Sequence, residues 1–431
     1  MKPIKVVIVG NGERATCYCK YALQAPENLQ VVAIVDPDIN KLEEGSAMYG
    51  VPRAHCFESV EEFLSKREAL GIQADGVVNA TMDEYHYQTA IPLLKAGYHM
   101  LLEKPVVNNI EQLLEIQRIA EENSCLLMVC HVLRYTPFYR SIKEVIASGE
   151  IGEIVHIETS ENVGVAHSSN SYIRGKWNSR EKCGSSMLLA KCCHDLDLLC
   201  WLNNTTHPTK VASFGGRDFI VPEKAPAQAG TKCLVDCPHV NDCRYSAQSI
   251  YVKNDRFPWY SWQCLNKPYE QATREEKTNS LKTFNPHGEC AFKTKSDLVD
   301  HQAVIMQFGN GSTATHSMIQ GAIRPCRTIR VMGTEGEIDG MIETCVYHVR
   351  KYDFETAEYT EKSYDVRKDI PENDHHAGGD EGIVIDFIRM LRKEKPSISC
   401  TKIQDSIYGH LCVYKADESM EEGVIKEIKE F

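Results

Sequence analysis

The chain has no apolar run approaching the roughly 20 residues that a membrane-crossing helix needs. Nor has it a surplus of basic residues: 48 Lys and Arg face 60 Asp and Glu, a net charge of -12. A nucleic-acid binder normally carries a basic face, so that function class is excluded. Internal repeats and low-complexity tracts are missing, as are the C-x2-C pairs of common zinc modules. The N-terminal "MKPIKVVIVG" has a short apolar run but no small-residue cleavage site. It reads as a first strand rather than a signal peptide, and the expected location is the cytoplasm.

What is present is 431 residues, 42% hydrophobic and 25% charged, enough for two domains with real cores. Eighteen cysteines in a cytoplasmic chain are expected to be reduced thiols. Cys17, Cys19 and Cys200 sit in apolar patterns, and Cys192 and Cys193 are likewise read as small core residues. Over the first 130 residues, strand-like runs alternate with helical patterns. "KVVIVG", "LQVVAIVDPD", "GVVNAT", "HMLLEKP" and "CLLMVCH" are continuous apolar runs with helices between them, which predicts a parallel sheet covered on both faces. Beyond about residue 150, "EIVHIETSENVG", "TKVASFGG", "HQAVIMQFGNGSTATHSMI" and "RTIRVMGTEGEIDG" predict a mostly antiparallel sheet, with a hairpin turn at Asn310-Gly311. Residues from about 220 to 296 are irregular and polar and read as an insertion. The fold class is therefore α/β, with a domain at 1–130 and a second at 131–431.

"VGNGERA" carries Gly10, Gly12 and Ala15 in a G-x-G-x-x-A pattern between a strand and a helix. Such glycines allow a tight turn and let a pyrophosphate approach the helix N-terminus. Asp36 ends the second strand, 26 residues beyond Gly10, where a carboxylate binds a ribose 2′-hydroxyl and repels a 2′-phosphate; NAD is expected rather than NADP. Ala80, Thr81 and His86 of "NATMDEYH", and Glu103 and Lys104 of "EKP", follow later strands at the same ligand-binding edge. With Glu13 and Arg14 they complete the expected cofactor contacts.

Together with "RYTPFY", "SGEIGEI", "LLAKCCHDLDLLCWL" and "GTEGEIDG", these motifs resemble the Gfo/Idh/MocA family, named for glucose–fructose oxidoreductase and inositol dehydrogenase. The resemblance spans nearly the whole chain. It implies an N-terminal Rossmann domain, a C-terminal α/β domain with an open, mostly antiparallel sheet that joins subunits into a dimer or tetramer, and NAD(P) chemistry on sugars or polyols. It also implies that Lys104 and His194 face the nicotinamide. The family's usual aspartate four residues before that histidine is Ala190 here, and Lys191 is the nearest polar group to replace it. Lys191 could equally form a surface pair with Asp195 at i,i+4. Asp197 matches a common acid that would orient the helix or the histidine.

His194 titrates near neutrality and is the first candidate for the base that takes the hydroxyl proton, with Lys104 sharing or relaying it. Arg134, His167, Tyr172, Arg174 and Trp177 are expected to join His194 in binding substrate: donors for hydroxyls and an aromatic face for a sugar ring. His375 and His376, in "NDHHAGGDEG", could close over substrate or cap a late helix. In "CLVDCPHVNDC", Cys233, Cys237 and Cys243 are taken as reduced thiols, with no metal; the alternative is a structural zinc or iron–sulfur site. The expected activity is an NAD-dependent oxidoreductase acting on a sugar or glycoside hydroxyl. Two alternatives stand beside it: a redox-neutral glycosidase that oxidises C3 transiently, and a non-catalytic nucleotide-bound sensor.

Overall fold

The structure is a computed structural model that describes residues 2–370 and 378–430. His375 and His376 lie outside the described residues.

Six strands form the first sheet: β1 (Ile4–Val9), β2 (Leu29–Val35), β3 (Cys56–Phe57), β4 (Gly76–Asn79), β5 (His99–Leu102) and β6 (Leu127–Val129). They pair in the order β3-β2-β1-β4-β5-β6, all parallel. The central strands are apolar without alternation because helices cover both faces. Helix starts are locally encoded. Asp38, Ser59 and Asn109 each accept a backbone N–H of the turn they open, the first turns of helices Ile39–Tyr49, Val60–Lys66 and Ile110–Glu122. The strand order reverses between β1 and β4, the position at which open α/β sheets bind ligands beyond the C-terminal ends of their strands.

The second sheet has nine strands: β7 (Ile154–Gly164), β8 (Pro208–Gly216), β9 (His301–Phe308), β10 (Thr313–Ala322), β11 (Cys326–Gly333), β12 (Gly336–Met341), β13 (Val346–Asp353), β14 (Glu358–Asp365) and β15 (Lys426–Glu427). Their order is β14-β13-β12-β11-β7-β10-β9-β8-β15; β7 and β10 are parallel and every other pair is antiparallel. Strict alternation in β9 and β10 turns one face to the helices and the other outward. Helices Cys193–Leu202 and Ile403–Glu422 pack closely on the inner side. Gly409 makes this approach possible, since a Cβ there would stand 2.8 Å from Cα of Asp197. Lys143 closes the first of these helices by donating to the carbonyls of Trp201 (2.8 Å) and Leu202 (3.1 Å).

Two features depart from a simple two-part division. Helix Gly379–Leu391 belongs late in the chain, yet Ile383, Val384, Phe387 and Ile388 join Ile4, Val6 and Ile8 in the core of the first domain. Between β8 and β9, residues 217–300 form short helical turns around two small cores of their own.

Phe387 is buried against Gly76, whose absent side chain leaves the space. Phe387→Ala should therefore lower stability by about 3–5 kcal/mol, read from urea unfolding. The loss should appear in the signal of the first domain although residue 387 lies far outside it in sequence.

Candidate active site

Gly10 has φ +82°, and its N–H donates to Val35 O at 2.8 Å. A Cβ at Gly10 would lie 2.7 Å from Thr81 N, so the β1 and β4 loops can touch only through a glycine. Gly12 differs: a Cβ there would meet nothing within 4 Å, so open space lies at the start of helix Glu13–Cys19. Beside it, Asn11 Oδ1 is buried and unbonded. This cradle and acceptor fit a dinucleotide pyrophosphate and its ribose. Asp36 is held at the end of β2 by the N–H groups of Asn11 (2.8 Å) and Asp38 (2.9 Å). Ala15 is fully buried and seats the helix on the sheet, and Glu13 is exposed.

Three expected cofactor contacts have another task. Arg14 Nε donates to Glu103 Oε1 at 2.7 Å, and its Nη2 donates to Asp380 Oδ1 at 2.7 Å. Glu103 Oε2 accepts the Lys104 N–H at 2.7 Å. His86 is buried between the carbonyls of Pro105 (2.6 Å) and Thr81 (3.1 Å). These residues brace the Gly loop, the Glu-Lys-Pro turn and helix Gly379–Leu391 against one another.

The stretch from Gly184 to Leu202 is not one helix. Gly184 is left-handed at φ +76°, a wide π-helical turn runs Leu188–Cys192, and the α-helix begins only at Cys193. Lys104 Nζ donates to the Ala190 carbonyl in that turn at 2.8 Å, bringing the lysine beside the helix that carries His194. The His194 ring stands edge-on to His131 at 5.6 Å, and His131 lies 5.2 Å from His410. Burial, helped by Arg134 and Lys104, pushes His131 far below the usual histidine range, and burial pushes His410 down to about 3. Two neutral rings thus back His194.

The remaining charges of this stretch are paired. Asp197 receives Arg134 Nε (2.7 Å) and Nη2 (2.5 Å), both side chains almost fully buried. Arg134, expected at the substrate, is enclosed here because its guanidinium is committed to Asp197 and to the carbonyls of Cys400 and Asp405. Asp195 meets Arg327 Nε at 2.9 Å. Lys191 does not pair with Asp195 on a surface. The wide turn directs it to Glu161, 3.5 Å away on β7, and Glu161 also holds Arg327 Nε at 2.5 Å. Burial lowers the Lys191 pKa, which Glu161 partly restores.

Of the expected substrate loop, Tyr172 is buried with His167 against it at 5.7 Å, and Trp177 Nε1 donates to Asp83 Oδ1 at 3.3 Å. Arg174 turns away into the 217–300 insertion, donating to the carbonyls of Glu289 (2.7 Å) and Tyr245 (2.8 Å). A cleft of ≈ 370 Å³ opens between this loop and the insertion, walled by Lys176, Trp177, Asn178, Tyr260 and His287. Lys176 Nζ lies 4.4 Å from the Trp177 ring centre and 5.3 Å from that of Tyr260. Burial pushes the Tyr260 phenol up to about 12, and the charges of Glu13 and Glu103 add to the rise.

Sequence reasoning passed over His131, Glu161 and Tyr260. Glu161 carried a signal: it shares strand parity with Ile157 and Val163, so an acid was due on the inner face. Tyr260 carried none, since only the folded insertion brings it to the cleft.

The profile of the oxidoreductase family with an NAD-binding Rossmann fold, Gfo/Idh/MocA, matches residues 4–131, and that of its C-terminal α/β domain matches residues 143–428. The chain belongs to this family. Its first domain is thus the NAD-binding domain of an oxidoreductase.

Among curated relatives of this Gfo/Idh/MocA chain, the oxidoreductase YteT of Bacillus subtilis is 21% identical over 66% of this chain and 64% of its own length. An inositol 2-dehydrogenase of Corynebacterium glutamicum is 25% identical over 36% of this chain and 44% of its own. The chain thus spans between about two fifths and two thirds of the length of these relatives. Among solved structures, a levoglucosan dehydrogenase in complex with NADH and levoglucosan has a TM-score of 0.70 at 16% identity, covering 100% of both chains. An oxidoreductase of Agrobacterium radiobacter in complex with NAD+, L-tartaric acid and magnesium has a TM-score of 0.67 at 15% identity, covering 99% of this chain and 98% of that one. These structures share the fold.

The buried histidines set an acid limit on the stability of this fold. In the folded state His410 titrates at about 3 and His287 at about 4, against 6.5 when free in the unfolded chain. Above pH 6.5 both states are neutral at these positions. As pH falls from 6.5, the unfolded chain binds protons that the folded chain refuses, so stability drops continuously towards pH 3. Urea midpoints measured from pH 7 to pH 4 should fall, and His410→Gln should flatten the slope.

Proposed function

We propose that this oxidoreductase transfers hydride between a secondary hydroxyl of a sugar or polyol and NAD. The observation that carries the reading is the Lys104–Ala190 contact. It brings the lysine that follows β5 beside the helix bearing His194, on the sheet edge that Gly10 and Asp36 share. Asp36 supports NAD over NADP, because a 2′-phosphate would meet its carboxylate. When bound, NAD supplies the hydride acceptor.

The chain's own residues supply the rest. His194 takes the hydroxyl proton, and its neutral neighbour His131, itself packed on neutral His410, leaves it able to receive that charge. Lys104, fixed by Ala190 O, steadies the developing alkoxide. Lys191, with its pKa lowered by burial and an acid beside it, is a second polar group where the family's usual aspartate is missing. Trp177 and Tyr260, which wall the ≈ 370 Å³ cleft, offer aromatic surface for the carbon face of a ring.

The test is to incubate the protein with NAD and a panel of free sugars, polyols and aryl glycosides, following NADH absorbance and aglycone release together. NADH should accumulate without aglycone. His194→Ala should cut kcat by about 100- to 10,000-fold while NADH binding stays unchanged. Aglycone release without net NADH would overturn the reading.

The outward face of the second sheet supports self-association into a dimer or tetramer. Phe214 (75% exposed), Ile305 (53%) and Ile319 (46%) lie on it, in adjacent strands β8, β9 and β10. Light scattering should show an oligomer, and Phe214→Glu with Ile305→Glu should reduce its mass without changing the circular dichroism.

A further inference from the structure

The 217–300 insertion gathers four cysteines at one point, three from the stretch 233–243 and the fourth from position 290. Cys233, Cys237, Cys243 and Cys290 line a single small cavity, whose other walls include Pro226, Ala229 and Phe292. The backbone holds two of them in register. Cys233 N donates to Gly288 O at 2.9 Å, Cys290 N donates to Thr231 O at 2.8 Å, and Lys232 and Glu289 form an antiparallel bridge between them. Cys233 and Cys290 are almost fully buried, and all four are free thiols. We propose that these four residues hold a [4Fe–4S] cluster that fastens the insertion together.

Charge supplies an independent argument. The Arg174 guanidinium is 2% exposed, and among the described residues no carboxylate lies within salt-bridge distance of it. Its Nη2 donates to Cys233 Sγ at 3.5 Å, and its other bonds go to Ser169 and to two carbonyls. A buried cation with only neutral partners is costly, by several kcal/mol. Thiolates around a cluster place net negative charge where Arg174 points, and a donor to a ligating sulfur is a usual device for tuning such a site.

The spacing of the sulfurs selects the group. Tetrahedral zinc with Zn–S of about 2.3 Å draws its sulfurs to roughly 3.8 Å from one another. Among the described residues, no three of these four sulfurs lie within 4.8 Å of one another. A four-iron cube, with one thiolate per iron, accepts the wider spread. His239 borders the cavity, but its ring is taken by Ala227 O (2.7 Å) and Asp242 (3.3 Å), so the cysteines alone serve as ligands. Binding a preassembled cluster forms four Fe–S bonds and releases four thiol protons, with no change in oxidation state.

The location explains the need. The insertion has two cores of only six buried hydrophobic residues each. Cys233 belongs to one core and Cys290 to the other, so the cluster would join them. Cores this small need a covalent or metal staple. Through this anchor the insertion holds Tyr260 over Lys176 and Trp177.

The test uses the full-length protein purified without oxygen, assayed for iron, zinc and acid-labile sulfide, with a visible spectrum. About four irons and four sulfides per chain and a broad visible band are expected. The half-exposed ligands Cys237 and Cys243, changed to Ser singly, should lose more than half the iron and lower the melting temperature while NADH binding persists. One zinc per chain without sulfide would overturn the cluster. So would disulfides among the four cysteines, or an iron-free protein that stays iron-free after anaerobic incubation with ferrous iron and sulfide.

Discussion

The Arg134–Asp197 pair is the contact on which the arrangement of the site depends. Arg134 follows the last strand of the Rossmann sheet, and Asp197 lies one turn beyond His194. Their two-pronged bond, nearly dry on both sides, holds the histidine helix to the nucleotide domain. Removing either partner alone would strand a buried charge, at a cost of about 3–5 kcal/mol. The same guanidinium donates to the carbonyls of Cys400 and Asp405, so it also fixes the start of helix Ile403–Glu422. That helix in turn packs through Gly409 onto Asp197. One ion pair therefore sets the spacing of three segments from different parts of the chain.

Each charge in the segment Gly184–Leu202 is tolerated for its own reason. Asp197 is neutralised by Arg134, and Asp195 by Arg327. Lys191 is drawn towards Glu161, an acid that Arg327 also binds. His194, partly exposed, stands on the same helix beside the Lys104 contact. The wide turn at Leu188–Cys192 makes this sorting possible. It breaks the α-helical register between Ala190 and His194, and it offers the Ala190 carbonyl to Lys104. Wide turns of this kind often mark functional sites, because they trade regular bonding for a reoriented group.

The nucleotide side is braced in a similar way. Arg14 ties the Gly loop to Glu103 and to Asp380, so the loop that would cradle a pyrophosphate is held by a turn from β5 and by a helix from the chain's end. Coupling distant segments through buried charge gives this sheet edge a defined shape, and it also makes the shape sensitive to damage far away in sequence.

Much of the fold was legible in the sequence alone. Continuous apolar strands separated by amphipathic helices determine a parallel sheet, and the glycines at 10 and 12 announce the tight turn after β1, because these signals are local in periodicity and turn chemistry. The hairpin at Asn310-Gly311 was legible for the same reason. β13 and β14 were not: every residue of β14 but Tyr364 is exposed, so no alternation announces it. The return of Phe387 to the first domain, the enclosure of Arg134 and the turning of Arg174 into the insertion were decided only by tertiary structure. Each depends on which buried partner comes within a few ångströms, and a charged residue's pattern along the chain looks the same whether it meets solvent, a substrate or Asp197.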